Sequence, residues 1–238
     1  MPIHAGRVLY CDEHFLAVNK LSGELVVRGK GPVHTLPLLD FLRKQYPGLH
    51  PVHRLDFETS GVVLFARSRQ ALREAKGMPM RKVYRTLVFG KLPSKEAEID
   101  LPLPARSGKG LVPATTRYRV LQSLGDVSYL EVEIETGRHH QIRKHLATVG
   151  HPLVLDAEYG DLKKNRAFAR RFHYRRFFLH ASRLSFPHPW MGECLTIAAP
   201  LPRVFAELLV RLRGQEGAAW GNVVCGRATR PRSDKPCP

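Results

Sequence analysis

The chain has 238 residues and an ordinary hydrophobic content, enough to bury a full core as one large domain or two small ones without disulfides. Its 38 Lys and Arg against 21 Asp and Glu give a formal charge of +17, an excess that a merely soluble basic protein does not need and that faces a polyanion, by default nucleic acid. The segment from Met1 to His14 lacks the apolar stretch of a signal peptide, and no apolar run is long enough to span a bilayer, so a cytoplasmic protein without membrane contact is expected.

Val8-Leu9-Tyr10 and Phe15-Leu16-Ala17-Val18 flank Asp12-Glu13-His14 and read as a hairpin ending at Asn19-Lys20. A helix is expected over 36–46: Thr35 can cap it, Pro37 fits its first turn, Leu38, Leu42 and Tyr46 recur every four residues, and Pro47-Gly48 ends it. Val62-Val63-Leu64-Phe65, opened by Gly61, does not alternate and so reads as a strand buried on both faces. A shorter helix follows Ser68 and stops at Gly77. Strands are expected over 82–92, 115–124 and 128–135; in the last, Leu130, Val132 and Ile134 alternate with Glu131, Glu133 and Glu135, which gives it one wet face. A helix from Gly137 to about Val149 would bury Ile142, Leu146 and Val149, and a final amphipathic helix carries Val204, Phe205, Leu208, Leu209 and Leu212 before Gly214. Strands and helices mixed without regular βαβ alternation argue for an α+β domain over 1–213, built on a mixed, largely antiparallel sheet flanked by helices. Over 214–238 the periodicity is lost, which reads as a disordered basic tail, either an extra RNA contact or a dispensable extension.

Several residues carry chemistry. His53-Arg54-Leu55-Asp56 puts one carboxylate, flanked by cations, in a turn that feeds the buried strand, where a charge is costly without a partner. Downstream, Arg138, His139, His140, Arg143 and Lys144 crowd the N-terminal half of a predicted helix, although the positive end of its dipole repels cations; something anionic is needed there. On a helical projection Arg143 lies at the edge of the apolar stripe and can reach inward, while His140 and Lys144 point away toward phosphate or solvent. Asp56 and Arg143 are then two core-edge charges of opposite sign, and pairing would keep Asp56 ionised. A buried ion pair with no chemistry is the other reading. Cys11, Cys194, Cys225 and Cys237 show no CxxC spacing, and neither His50/His53 nor His139/His140/His145 has a companion ligand set, so no metal is expected.

His53-Arg-Leu-Asp56 with Thr59-Ser-Gly61, Lys82-Val-Tyr84 and Gly137-Arg-His-His-Gln-Ile-Arg143 closely resembles the motifs of the RNA pseudouridine synthases of the RluA type, and the pattern continues through Leu179-His180-Ala181 and His188-Pro189. The resemblance covers roughly residues 7 to 200. It implies a single catalytic domain with a central active-site cleft and no S4 domain before it. It implies Asp56 as the catalytic nucleophile, Arg54 at the space vacated by a flipped nucleotide, Tyr84 packed on the target base and Arg143 paired with Asp56. His53, Arg138, His140 and Lys144 are the expected RNA contacts around them. The implied reaction cleaves the N1 to C1' bond of uridine, rotates the base and rejoins it through C5, without metal or other cofactor. Lys20-Leu21-Ser22-Gly23 has Leu for the usual Pro, and Leu155-Asp156 replaces a usual Gly-Asp; both are expected to lie away from the catalytic motifs.

An insertion, Gly160-Asp161-Leu162-Lys163-Lys164-Asn165-Arg166 and onward to Arg176, carries Lys163, Lys164, Arg166, Arg170 and Arg171 interleaved with Phe168, Phe172 and Tyr174. Such a run is either a solvated face or an RNA-contacting element. Its Gly-Asp-Leu-x-x-Asn-Arg core is similar to the tRNA pseudouridine synthase C subgroup, which favours tRNA over ribosomal RNA as partner. A non-catalytic RNA-binding module would need the basic surface but not Asp56. A metal-dependent nuclease would need clustered carboxylates, which Asp56 and Glu58 alone do not supply.

Overall fold

The computed structural model describes residues 3–29, 36–105 and 108–214. In chain order the elements are β1 (Val8–Cys11), β2 (Phe15–Lys20), α1 (Leu38–Leu42), β3 (His50–Pro51), β4 (Ser60–Ala66), α2 (Arg69–Lys76), β5 (Arg81–Phe89), β6 (Glu96–Asp100), β7 (Leu103–Pro104) and β8 (Leu111–Val112). They continue with β9 (Thr115–Leu124), β10 (Val127–Ile134), α3 (Gln141–Thr148), α4 (Leu162–Phe172), β11 (Leu179–Pro187), β12 (Cys194–Ala198) and α5 (Arg203–Arg213). Ten strands form one sheet in the order β1-β2-β4-β11-β5-β10-β9-β6, with β12 beside β11 and β3 beside β4. The β4–β11 pair is parallel and the other described pairings are antiparallel. This is the expected α+β architecture. Among the described residues no helix is long and apolar enough to cross a membrane.

The unbroken apolar run at Val62 is explained by burial on both faces of β4. Val62, Leu64 and Ala66 join the apolar cluster under α2, while Val63 and Phe65 join the one under α1, and β2 divides the same way. A third cluster packs α3, α4 and α5 on β5, β9 and β10, and Leu55 touches both it and the α1 cluster. The segment before Asp56 is thus wedged between two cores. On β10, Leu130, Val132 and Ile134 face inward and the glutamates outward, as their alternation requires. Ser68 caps α2 by accepting a hydrogen bond from Ala71 N.

Local structure differs from expectation in several places, and the strand expected over 82–92 already ends at Phe89. The helix expected over 36–46 is only α1, with Pro37 at the N-cap position, and the chain from Arg43 to Tyr46 unwinds into turns closed on Leu42 O. The Thr35 cap and the tail beyond Gly214 lie outside the described residues. The helix expected from Gly137 starts at Gln141, because His140 adopts a left-handed conformation, φ 54°, that a helix cannot include. Arg138, His139 and His140 therefore lie in the entry loop, and Val149, the C-cap residue, is exposed; Val204, in the first turn of α5, is exposed too. The insertion folds as α4, with Asp161 accepting hydrogen bonds from Lys163 N and Lys164 N, and its Phe168 and Phe172 are core residues instead of a stacking surface.

Candidate active site

The sheet brings the three separated motifs together. In register across β4, β11 and β5 lie Gly61, Ala181 and Tyr84. Gly61 has φ 112°, and a Cβ there would stand 2.2 Å from Ala181 O, so only glycine lets β11 approach this closely. Asp56 sits one tight turn ahead of β4, closed by Thr59 N donating to Asp56 O at 3.1 Å. Tyr84 pairs with Val132 on β10, and β10 leads through Gly137 into α3. A cleft of about 930 Å³ opens where these segments meet, lined by 51–56, Lys82, Tyr84, 137–144 and the β7–β8 hairpin.

Asp56 is about one-third exposed, with His140 Nε2 at 3.7 Å and Arg143 Nη1 at 4.0 Å. Tyr84 is buried, and desolvation together with Asp56 pushes its phenol well above the usual range, so the ring stays neutral. The expected Asp56–Arg143 pair is only a long contact. The short partner of Arg143 is Asp156, fully buried, whose two oxygens take Nε at 2.7 Å and Nη2 at 2.8 Å. Nη2 also reaches Glu158 at 3.1 Å, which leaves Nη1 as the guanidinium nitrogen turned to Asp56. Burial works against both charges, yet the pairing and the N–H groups of Glu158 and Tyr159 hold the Asp156 carboxyl below its usual range and the Arg143 guanidinium above. The Leu155-Asp156 segment is consequently part of the site and not remote from it. Its Leu155 stands at φ 68° where a glycine would be unstrained.

His140 does not point away from Asp56. Left-handed at the head of α3, it stacks on His139, meets Tyr159 Oη at 3.0 Å and lies 3.2 Å from Glu158; burial outweighs both carboxylates and lowers its basicity. His53 is likewise not a free cation. Its Nε2 accepts from Leu64 N at 3.3 Å, and burial beside Lys82 depresses its pKa to about 4. Arg54, Arg138 and Lys144 line the cleft and, with Lys82, make no ion pair among the described residues. Lys163, Lys164, Arg166, Arg170 and Arg171 on α4 do not line it.

Three further contributors, Lys20, Thr59 and Gln141, stand inside the quoted motifs, but the local sequence gives them no role. Lys20, completely buried, donates to the carbonyls of Leu21, Phe57 and Thr59 at 3.0, 3.1 and 2.5 Å and so pins the loop that follows Asp56; desolvation lowers its pKa to about 7. Gln141 accepts from Thr136 Oγ1 and Arg138 N and donates to Thr115 O, bracing the entry loop of α3 on β9. Thr59 Oγ1 is buried in the cleft wall without a hydrogen-bond partner among the described residues. Among the described residues no group of three or more His, Cys, Asp or Glu is placed to hold a metal ion.

A mixed sheet gathers a partly exposed carboxylate, a buried tyrosine and an anchored arginine in a basic cleft, an arrangement in keeping with an RNA pseudouridine synthase. Comparison with known proteins agrees: residues 14–148 match the RNA pseudouridylate synthase family. The tRNA pseudouridine synthase C of Vibrio cholerae is 37% identical over 88% of this chain and 97% of its own length. The ribosomal large subunit pseudouridine synthase C of Escherichia coli K12 is 36% identical over 88% of this chain and 70% of its own. Among solved structures, human RNA Pseudouridylate Synthase Domain Containing 4 superposes with a TM-score of 0.72 at 25% identity, covering 87% of this chain and 92% of that one. The chain belongs to the RluA-type RNA pseudouridylate synthases and is an isomerase of uridine in RNA.

Proposed function

We propose that the protein converts a specific uridine of tRNA to pseudouridine, with Asp56 as the catalytic carboxylate. The observation that carries the reading is the convergence of Asp56, Tyr84 and Arg143, from three distant segments, on one cleft. Glycosidic cleavage and rejoining at C5 call for a carboxylate held against the reacting nucleoside and a flat surface against the base. Asp56 and Tyr84 supply these, and Arg143 fixes a positive charge beside the first. A stacked uridine must leave its helix to enter, and Arg54, Arg138 and Lys144 at the cleft are suited to the phosphates on either side. The cations of α4, which do not line the cleft, are a second candidate contact for a folded RNA. No metal or other cofactor enters the reading.

A tRNA substrate is favoured by the tRNA-acting relative, matched along nearly its whole length, and by the Gly160-Asp161-Leu162 segment with Asn165-Arg166. Ribosomal RNA is the second reading, favoured by the 36% identity to a ribosomal synthase. Pseudouridine mapping of total RNA from cells lacking the protein, complemented with wild type or with Asp56→Asn, tests both. The expected result is one tRNA uridine restored by wild type and not by Asp56→Asn, whose RNA affinity stays near wild type. The loss should reach at least about 10³-fold in rate, as for removal of other nucleophiles. A restored site confined to ribosomal RNA replaces the tRNA reading, and an active Asp56→Asn removes Asp56 from the chemistry.

A further inference from the structure

The guanidinium of Arg143 is oriented from behind, by the buried Asp156, and Asp156 is itself held by a residue of α4. Asn165, buried on that helix, accepts from Leu155 N through Oδ1 at 2.7 Å and donates through Nδ2 to Asp156 O at 2.7 Å. These two bonds bracket Leu155, a branched residue kept at φ 68°, a conformation it adopts only when its surroundings impose it. Gly160 closes the same turn: its N donates to Asp156 O at 3.1 Å, and a Cβ there would lie 2.2 Å from that oxygen and 2.8 Å from Asn165 Nδ2. The helix carrying Asn165 is fixed in turn by the Asp161 cap and by Phe168 and Phe172 in the core.

We propose that Asn165 is a positioning residue for the isomerisation: it locks the Leu155-Asp156 turn, which aims Arg143 Nη1 at Asp56. The proposal rests on the reading of Asp56 as the catalytic carboxylate. Asn165 touches neither the cleft nor Asp56, so its effect travels through one backbone turn and one ion pair. Relaxing the turn lets Asp156 retreat, and Arg143 follows it because two of its three nitrogens are bound there. The RNA-facing cations stay in place.

The test uses the full chain and total RNA from cells lacking the protein, with single-turnover rate and RNA affinity measured separately. Asn165→Ala should lower the rate by about tenfold or more, as small displacements of reacting groups do, while the affinity changes less than about twofold. Should Asn165→Ala fail to fold, Asn165→Asp, which keeps the acceptor for Leu155 N and loses the donor to Asp156 O, carries the same expectation. A wild-type rate, or a rate loss matched by an equal loss of affinity, would each overturn the proposal. Asp56→Asn, run alongside, separates the two ideas: if it is inactive while Asn165 variants are normal, only the positioning role fails, and if it is active, the reading of Asp56 fails first.

Discussion

Arginines serve opposite ends on the wet face of the sheet and in the cleft. On the face formed by β6, β9, β10, β5 and β11, Arg117 bridges Glu98 and Glu135, Arg119, Arg85 and Arg183 share Glu131, and Arg81 takes Glu133. These are cross-strand neighbours; Glu131 stands directly opposite both Arg85 and Arg119. Most are open to solvent, and each arginine has a carboxylate beside it, five arginines against four glutamates. In the cleft a single arginine is buried against a buried carboxylate, and the surrounding cations have no acidic partner among the described residues. The net charge of +17 therefore says little by itself. What distinguishes the site is which cations the protein leaves unmatched, and which one it desolvates.

That contrast breaks most visibly at Arg143. Arg143→Ala strands Asp156, which is completely buried, and removing one partner of such a pair costs about 3–5 kcal/mol. The stranded charge is Asp156, since Asp56 keeps contact with solvent. Thermal melts should show a large fall for Arg143→Ala and a smaller one for the double change with Asp156→Ala, while the rate of pseudouridine formation collapses in both. A melting temperature untouched by Arg143→Ala would mean that the buried pair does not hold the fold.

Tyr84 offers a second, smaller break. Stacking of a base on an aromatic ring is worth about 1–3 kcal/mol, so Tyr84→Ala should lose roughly 5- to 150-fold in rate, and Tyr84→Phe far less. The buried hydroxyl has no ionised role in this reading, because Asp56 and desolvation keep it protonated. Equal losses in the two variants, measured at matched fractions of folded protein, would point to the hydroxyl in place of the ring.

The sheet was readable where burial acts on one strand at a time. Val62 to Phe65 declares two buried faces, and Leu130 to Glu135 declares one, because side-chain alternation is a local property. The motif residues of the site were readable too, since they sit in three contiguous segments. What holds them was not. Asp156 grips Arg143 across 13 residues, from the turn that follows α3, and Lys20 reaches Thr59 across 39, a pairing that exists only once β2 and β4 are side by side. His140 shows the remaining failure. A helical projection begun at Gly137 turned it away from Asp56, whereas its left-handed backbone turns it toward that carboxylate. Phe168 and Phe172, placed among cations, signal a helix with one buried face as readily as an RNA-stacking strip, and the core claims them.

Histidines in and behind the cleft make stability depend on acid in a way the arginine face does not. His53 and His180 have folded pKa values of about 4, against about 6.5 when unfolded. Between these values the unfolded chain binds protons that the folded chain refuses, so stability is full above pH 6.5 and falls as the pH drops toward 4. His53→Gln keeps an acceptor for Leu64 N without titrating, and should flatten that part of the profile. Melts at pH 7 and pH 4.5 provide the check: an equal drop in wild type and variant would show that His53 is already protonated in the folded state.

The finest distinction concerns two arginines whose removal changes net charge by the same amount. Arg138 is exposed at the cleft, with Nε donating to Pro113 O at 3.4 Å and no carboxylate beside it among the described residues. Arg117 is matched by Glu98 and Glu135 at 2.6 and 2.9 Å. If RNA binding followed total charge, Arg138→Gln and Arg117→Gln would weaken it equally. If it follows unmatched charge at the cleft, the two must differ in salt dependence, because only a cation that neutralises a phosphate releases a counterion on binding. Arg138→Gln should reduce the slope of log affinity against log salt by about 0.7–0.9, the value for one lost contact, and Arg117→Gln should leave it unchanged. Titrations of tRNA against each variant at several salt concentrations measure both slopes. Equal slopes would place the RNA on the paired face as well, and the division between the two regions would no longer describe how this protein uses its charge.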